Sequence, residues 1–209
     1  TYLRYQGKFD DAAKAWNKAV ELDPTYFLAY AYLAGNYDDL GKWDLALENY
    51  HKVIETNPKY FYAYESTAIL EYHAKNYENA IKYFTKAYEY SSSYAYTLMI
   101  AACWFKLNKP LEAKKVLTAQ LKKLDSNSNE YALVRFYNDA YNRNAESNLV
   151  QKIAKETNSN NRGKMLFYLG LYYELNNAEE LANEYYAKVT NMKAPMFFEY
   201  RIAEWGLSK

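Results

Sequence analysis

Histidine occurs only twice (His51, His73) and cysteine once (Cys103) in the 209 residues. That scarcity excludes a disulfide framework and leaves no H-E-x-x-H or paired C-x-x-C spacing to hold a metal. Six scattered glycines cannot build a phosphate-cradling loop, and four prolines exclude a collagen-like chain. No sign of charge dominates: 26 Lys+Arg stand against 25 Asp+Glu, a formal net charge of +1. A nucleic-acid module usually carries a strong basic excess or stripe, so that class is disfavoured. No segment approaches the ~20 unbroken apolar residues of a membrane span. No charged n-region with an apolar core and cleavage site opens the chain, so no targeting signal is visible. The chain begins at Thr1 rather than Met and inside a structural repeat. The expectation is an excised or processed piece whose compartment stays open: cytoplasmic, or periplasmic if an upstream signal was removed.

What the chain has in abundance is apolar surface and tyrosine. Half the residues are apolar, and Tyr alone supplies 26 of them. They recur at a fixed interval. Pro24 and Pro58 are 34 apart, each after a short polar residue (Asp23, Asn57). Ala12, Ala46 and Ala80 share that spacing, and Ala113, Leu149 and Ala182 continue it less strictly. Each stands four residues before a large apolar side chain: Trp16, Tyr50, Phe84, Leu117, Ile153, Tyr186. Within a repeat the period is helical, as in Phe27, Tyr30, Leu33, Ala34, Tyr37 and again in Trp43, Ala46, Leu47, Tyr50, Ile54. Each repeat therefore reads as two antiparallel helices around a tight turn. Gly7, Gly41, Asn76, Asn108 and Asn177 precede the second helices and suit a left-handed C-cap. Pro110 suits a helix start, and the residues before Pro24 and Pro58 a helix end.

The run Tyr30-x2-Leu33-Ala34-x2-Tyr37, then Ala46-x3-Tyr50 and Pro58, resembles the tetratricopeptide repeat (TPR) signature. Leu166-x2-Leu169-Gly170-x2-Tyr173 with Ala182-x3-Tyr186 is a second match. Tyr64-x2-Thr67-Ala68 with Ala80-x3-Phe84 is a third, with Glu71 where an aromatic is usual. Thr97-x2-Ile100-Ala101-x2-Trp104 with Ala113-x3-Leu117 is a fourth, shifted by the Ser91-Ser92-Ser93 loop. The weakest repeat, about 129–158, has Tyr137 where a small residue is expected, so its helices must separate or tilt. The resemblance implies an all-α, right-handed superhelical solenoid of antiparallel helix pairs as one domain over 1–209. Its parts are a partial first repeat (1–24, with Thr1–Gln6 supplying only a helix end), repeats at about 25–58, 59–92, 93–127, 128–161 and 162–194, and a capping helix at about 195–207. Phe198, Ile202 and Trp205 form the cap's apolar stripe. Ser126–Asn129 and Thr157–Asn161 read as loops between repeats, the first a candidate bend.

No catalytic constellation is visible and no cofactor is implied. Cys103 lies in an apolar run and reads as an inert core thiol. Carboxylates read as solvated helix faces opposite the apolar stripes, and so do the Lys114-Lys115 and Lys122-Lys123 pairs. The chain therefore reads as a non-enzyme, and surfaces are left to carry function. In the family, the first helix of each pair lines the concave side. That register selects Leu28, Ala31, Gly35, Asp38 and Asp39, then Tyr62, Glu65, Ile69, Tyr72 and His73. It continues with Leu98, Ala102, Phe105 and Lys106, with Val134, Asn138 and Tyr141 less securely, and with Phe167, Leu171 and Glu174. The chaperone-binding subclass places Lys, Arg and Asn there; here Ala31, Gly35, Ser66 and Tyr96 stand instead, so a dicarboxylate clamp is not implied. The expected function is a protein-interaction scaffold that holds a peptide segment or partner surface in an aromatic, apolar groove with acidic groups at its N-terminal part. Alternatives are a small-molecule or lipid pocket, or a regulatory domain of an enzyme encoded outside this stretch; self-association is also plausible.

Overall fold

The structure is a computed structural model that describes residues 7–139, 143–193 and 195–208, so the expected helix end at 1–6 and the groove position Tyr141 lie outside the described residues. Twelve α-helices and no strand are found among them. The chain divides into two compact units along its sequence, with the boundary between Ser91 and Ser92.

The N-terminal unit holds α1 (Phe9–Leu22), α2 (Phe27–Asp39), α3 (Trp43–Thr56), α4 (Phe61–His73) and α5 (Tyr77–Ser91). α2 pairs with α3 and α4 with α5, while α1 packs on α2 and α3 on α4. Such a stack buries what one hairpin alone leaves wet. Ala12, Ala46 and Ala80 are buried at matching places on α1, α3 and α5, and Ala34 and Ala68 face them from α2 and α4. Four residues after each small residue, Tyr50 and Phe84 are buried and Trp16 is half-buried, stacked on Tyr32 with ring centroids 4.5 Å apart. α4 is buried on nearly every side, from Ala63 and Tyr64 through Thr67–Tyr72, whereas α3 and α5 each bury only three residues of one stripe. First helices thus sit inside and second helices outside, as their hydrophobic patterns require.

The turns repeat as closely as the helices. At the end of α2 the Gly41 N–H donates to the Asp38 carbonyl at 3.0 Å, and the Lys42 N–H to the Tyr37 carbonyl at 2.9 Å. Lys75 and Asn76 repeat this pair of bonds, and so do Asn108 with Lys109 and Asn177 with Ala178. Gly41 has φ 67° and Asn108 and Asn177 have 57° and 59°, but in the α4–α5 turn the left-handed residue is Lys75 (φ 62°), not Asn76. Asn76 falls one position past the register; its carboxamide instead donates to Glu71 at 3.0 Å. The same contact, with Asn79 at 3.3 Å, accounts for a carboxylate in the aromatic's place. Asp23 turns the chain after α1: Thr25 donates to its carboxylate from both hydroxyl and N–H, which holds the acid below its usual pKa.

The C-terminal unit holds α6 (Tyr94–Lys106), α7 (Pro110–Leu121), α8 (Asn129–Asn138), α9 (Arg143–Lys155), α10 (Ser159–Leu175), α11 (Glu179–Thr190) and α12 (Glu199–Leu207). Ala113, Leu149 and Ala182 are buried at the repeat positions, and Pro110 starts α7. The two polar stretches are shorter as loops than expected, because they cap helices. Ser128 Oγ accepts the Tyr131 N–H that opens α8, and Asn158 Oδ1 accepts the Asn161 N–H that opens α10. The last helix starts at Glu199 rather than near Pro195, leaving Phe198 at its N-cap; it buries Ile202 and Ala203 against α10 and α11 and keeps Trp205 half-buried.

This unit departs from simple stacking: α6 touches α10 directly, two repeats on. Every residue from Ala95 to Cys103 is buried as a result, the free Cys103 thiol included. Tyr137 is part of the cause. Its hydroxyl donates to the Tyr168 carbonyl at 2.5 Å, and its ring meets Tyr168 and Tyr172 edge-on, so the bulky residue spans the gap to α10. Tyr168 lies with its hydroxyl 3.0 Å from both the Ala95 carbonyl and Glu199 Oε1. Glu199 and Glu71 are buried, which corrects the reading of all carboxylates as solvated.

Candidate interaction surfaces

In the N-terminal unit the expected surface residues lie on α2 and α4. Tyr62 is 55% exposed and belongs to a ring cluster, 4.0 Å from Phe61 and 5.7 Å from Tyr60, which in turn lies 5.4 Å from Phe27. Leu28, Asp38 and Glu65 are half-buried and Asp39 is exposed. Ile69 and Tyr72, on the same helix as Tyr62, are buried, with Tyr72 edge-on to Tyr77. His73 is half-buried under the Trp43 ring at 4.2 Å. The sequences of α2 and α4 contain Asp38, Asp39, Glu65 and Glu71 but neither Lys nor Arg, while the lysines of this unit's helices stand on α1, α3 and α5.

The C-terminal unit redistributes its expected set. Leu98, Phe167 and Leu171 are fully buried and serve its core, because α6, α8 and α10 converge on one another. Lys106 and Glu174 form an ion pair at 2.7 Å between the ends of α6 and α10, and Glu174 also accepts the Tyr186 hydroxyl at 2.8 Å. The two charges are 68 residues apart, so the sequence carried no sign of the pairing. Burial raises the phenol pKa of Tyr137 and Tyr168 well above the usual range, and the nearby Glu174 and Glu199 carboxylates push in the same direction.

Of that expected set, Phe105 lines a cleft of about 560 Å³ that opens between the ends of the first helices. Tyr137, Tyr172, Leu175 and Leu111 supply its other apolar walls, with Leu111 73% exposed. Asn108, Asn138 and Asn176 bring three carboxamides, and Lys114 and Asp139 one charge of each sign. Thr118 donates to Asn138 Oδ1 at 3.2 Å, and Asn176 Nδ2 donates to the Tyr172 carbonyl at 2.8 Å. Among these residues the sequence reading assigned only Phe105 and Asn138 to the groove, because the cleft lies at the turn edge rather than along a helix face. No group of three or more metal-ligating side chains, and no helix long and apolar enough to cross a membrane, occurs among the described residues.

Two family models match the sequence, one described as a tetratricopeptide repeat over residues 34–96 and one as a TPR repeat over residues 3–35. No curated protein matches the chain. Among solved structures, a tetratricopeptide repeat protein from Parabacteroides merdae ATCC 43184 is similar at 18% identity with a TM-score of 0.59, over 99% of this chain and 79% of that one. YrrB, a TPR protein with an unusual peptide-binding site, is similar at 19% identity and a TM-score of 0.51, over 92% of this chain and 98% of its own. A chain of Naa15/Naa10 bound to HypK-THB is similar at 16% identity and a TM-score of 0.57; this chain is covered over 98% and spans 31% of that one. At such identities the likeness is one of fold.

Proposed function

This chain is a tetratricopeptide repeat protein, and from that premise we propose that it is a protein-interaction scaffold whose N-terminal unit holds a partner segment on the faces of α2 and α4. The observation that carries the reading is the segregation of charge. Helices α2 and α4 carry Asp38, Asp39 and Glu65, with the exposed Tyr62 ring in the first turn of α4, and have no Lys or Arg of their own. A segment with one or more Lys or Arg between apolar anchors matches that surface: the carboxylates steer the cation and the ring supplies contact area. The likeness to YrrB supports a peptide as the kind of partner.

Selection of this chain against a random dodecapeptide library tests the reading. Enriched peptides are expected to be basic and apolar, and Tyr62→Ala is expected to weaken the best of them by about 30-fold, the loss of one hot spot. Asp38→Asn with Asp39→Asn should weaken binding less at high salt than at low salt. Acidic enriched peptides, or undiminished binding by a folded Tyr62→Ala variant, would defeat the proposal.

A further inference from the structure

The cleft of the C-terminal unit has a polarity that its side chains do not account for. Its lining charges, Lys114 and Asp139, cancel. The backbone does not. Helices α6, α8 and α10 all end at the cleft, at Lys106, Asn138 and Leu175, and among the described lining residues only α7 begins there, at Pro110. A helix end is equivalent to about half an elementary charge, negative at the C-terminus, so three ends against one leave about one negative charge. The positive end is further blunted. Pro110 has no N–H, and the N–H groups of Glu112 and Ala113 both turn back to the Lys109 carbonyl at 3.1 and 3.3 Å. On the acceptor side, the carbonyls of Leu175 and Asn176 take no backbone N–H among the described residues. Asp139 stands at the C-cap of α8, where a carboxylate adds to the negative end instead of offsetting it.

An acceptor-rich, net negative cleft walled by Phe105, Tyr137 and Tyr172 fits a planar cation with many donors and no acceptor. We propose that this cleft receives an arginine side chain of a partner polypeptide, its guanidinium against the aromatic wall and its N–H groups on the helix-end carbonyls. Asn108 and Asn176 line the same cleft and bring carboxamide acceptors to it. Lys114 is the one opposing charge, and its exposed side chain is free to swing away into solvent. This contact is separate from the one on α2 and α4: it uses other residues, in the other unit, and either can fail alone.

The test is a titration of the intact chain by amide NMR with Nα-acetyl-arginine amide, with the citrulline, norleucine and glutamate analogues as comparators. The arginine compound is expected to shift Leu111, Asn138 and Asn176 saturably, and citrulline, neutral and of the same shape, to bind at least about fivefold more weakly. Lys114→Gln, an exposed change, should tighten arginine binding about threefold to fivefold, Asp139→Asn should weaken it, and Tyr62→Ala should leave it unchanged. Equal binding of citrulline or norleucine would show an ordinary apolar slot and overturn the proposal. So would preferential binding of the glutamate analogue, weaker binding in Lys114→Gln, loss in Tyr62→Ala, or no saturable shift.

Discussion

The turn between α4 and α5 offers a clean measurement of backbone strain, because its twin lies one repeat earlier. Gly41 and Lys75 occupy the same position in the two turns, with φ of 67° and 62° and the same pair of hydrogen bonds. A side chain at Gly41 would meet nothing within 4 Å, so a substitution there changes backbone energy and little else. A non-glycine residue in left-handed space costs about 1–2 kcal/mol. Glycine returns about 0.4–1 kcal/mol of that through its freer unfolded chain. Lys75→Gly should therefore stabilise the protein by about 0.5–1 kcal/mol, and Gly41→Lys should destabilise it by a similar amount. With a urea m-value of about 2 kcal/mol/M, each moves the unfolding midpoint by roughly 0.4 M, in opposite directions. Circular dichroism at 222 nm reads both, and the double variant should return close to the parent because the sites share no contact. If Gly41→Lys unfolds at the parent midpoint, or if both variants move the same way, the reasoning from φ is wrong.

Phe84→Ala should cost about 3–5 kcal/mol, since its ring is wholly buried, while Trp16→Ala at the equivalent but half-exposed site should cost clearly less; urea denaturation compares them. At alkaline pH, Tyr137 and Tyr168 keep their protons in the fold after an unfolded chain begins to lose them near the ordinary tyrosine pKa of about 10. Because their folded pKa values are raised, their contribution to stability is complete below that pH and is lost as pH rises beyond it. Absorbance at 295 nm should accordingly show a tyrosine class that ionises only together with loss of helicity.

How much of this was legible follows from what kind of signal each feature leaves. Ala46, Ala80 and Phe84 could be placed from their spacing because each does the same job in the same local setting. The left-handed turn residue went to Asn76 because asparagine advertises that conformation and lysine does not; the interval of 34 from Gly41 points to Lys75. Leu98, Phe167 and Leu171 sit in the family's groove register, yet all three are buried. That outcome depends on α6 meeting α10, which no periodicity encodes. Tyr137, in a small residue's place, was the only visible hint that the pattern changes there. The cleft at the helix ends is assembled from residues up to 71 positions apart, Phe105 to Asn176, and no local motif marks it.

The bond from Tyr168 to Ala95 closes a loop of 73 residues within the C-terminal unit, where the Lys106–Glu174 pair closes another between the same two helices. A ladder of like rungs can gain or lose one by duplication or deletion, since each interface resembles the next. A closed ring cannot: inserting or removing a hairpin between α6 and α10 would part Lys106 from Glu174 and draw Tyr168 off the Ala95 carbonyl. Lineages of this chain should therefore vary in repeat number on the N-terminal side of Ser92 and hold the number fixed beyond it.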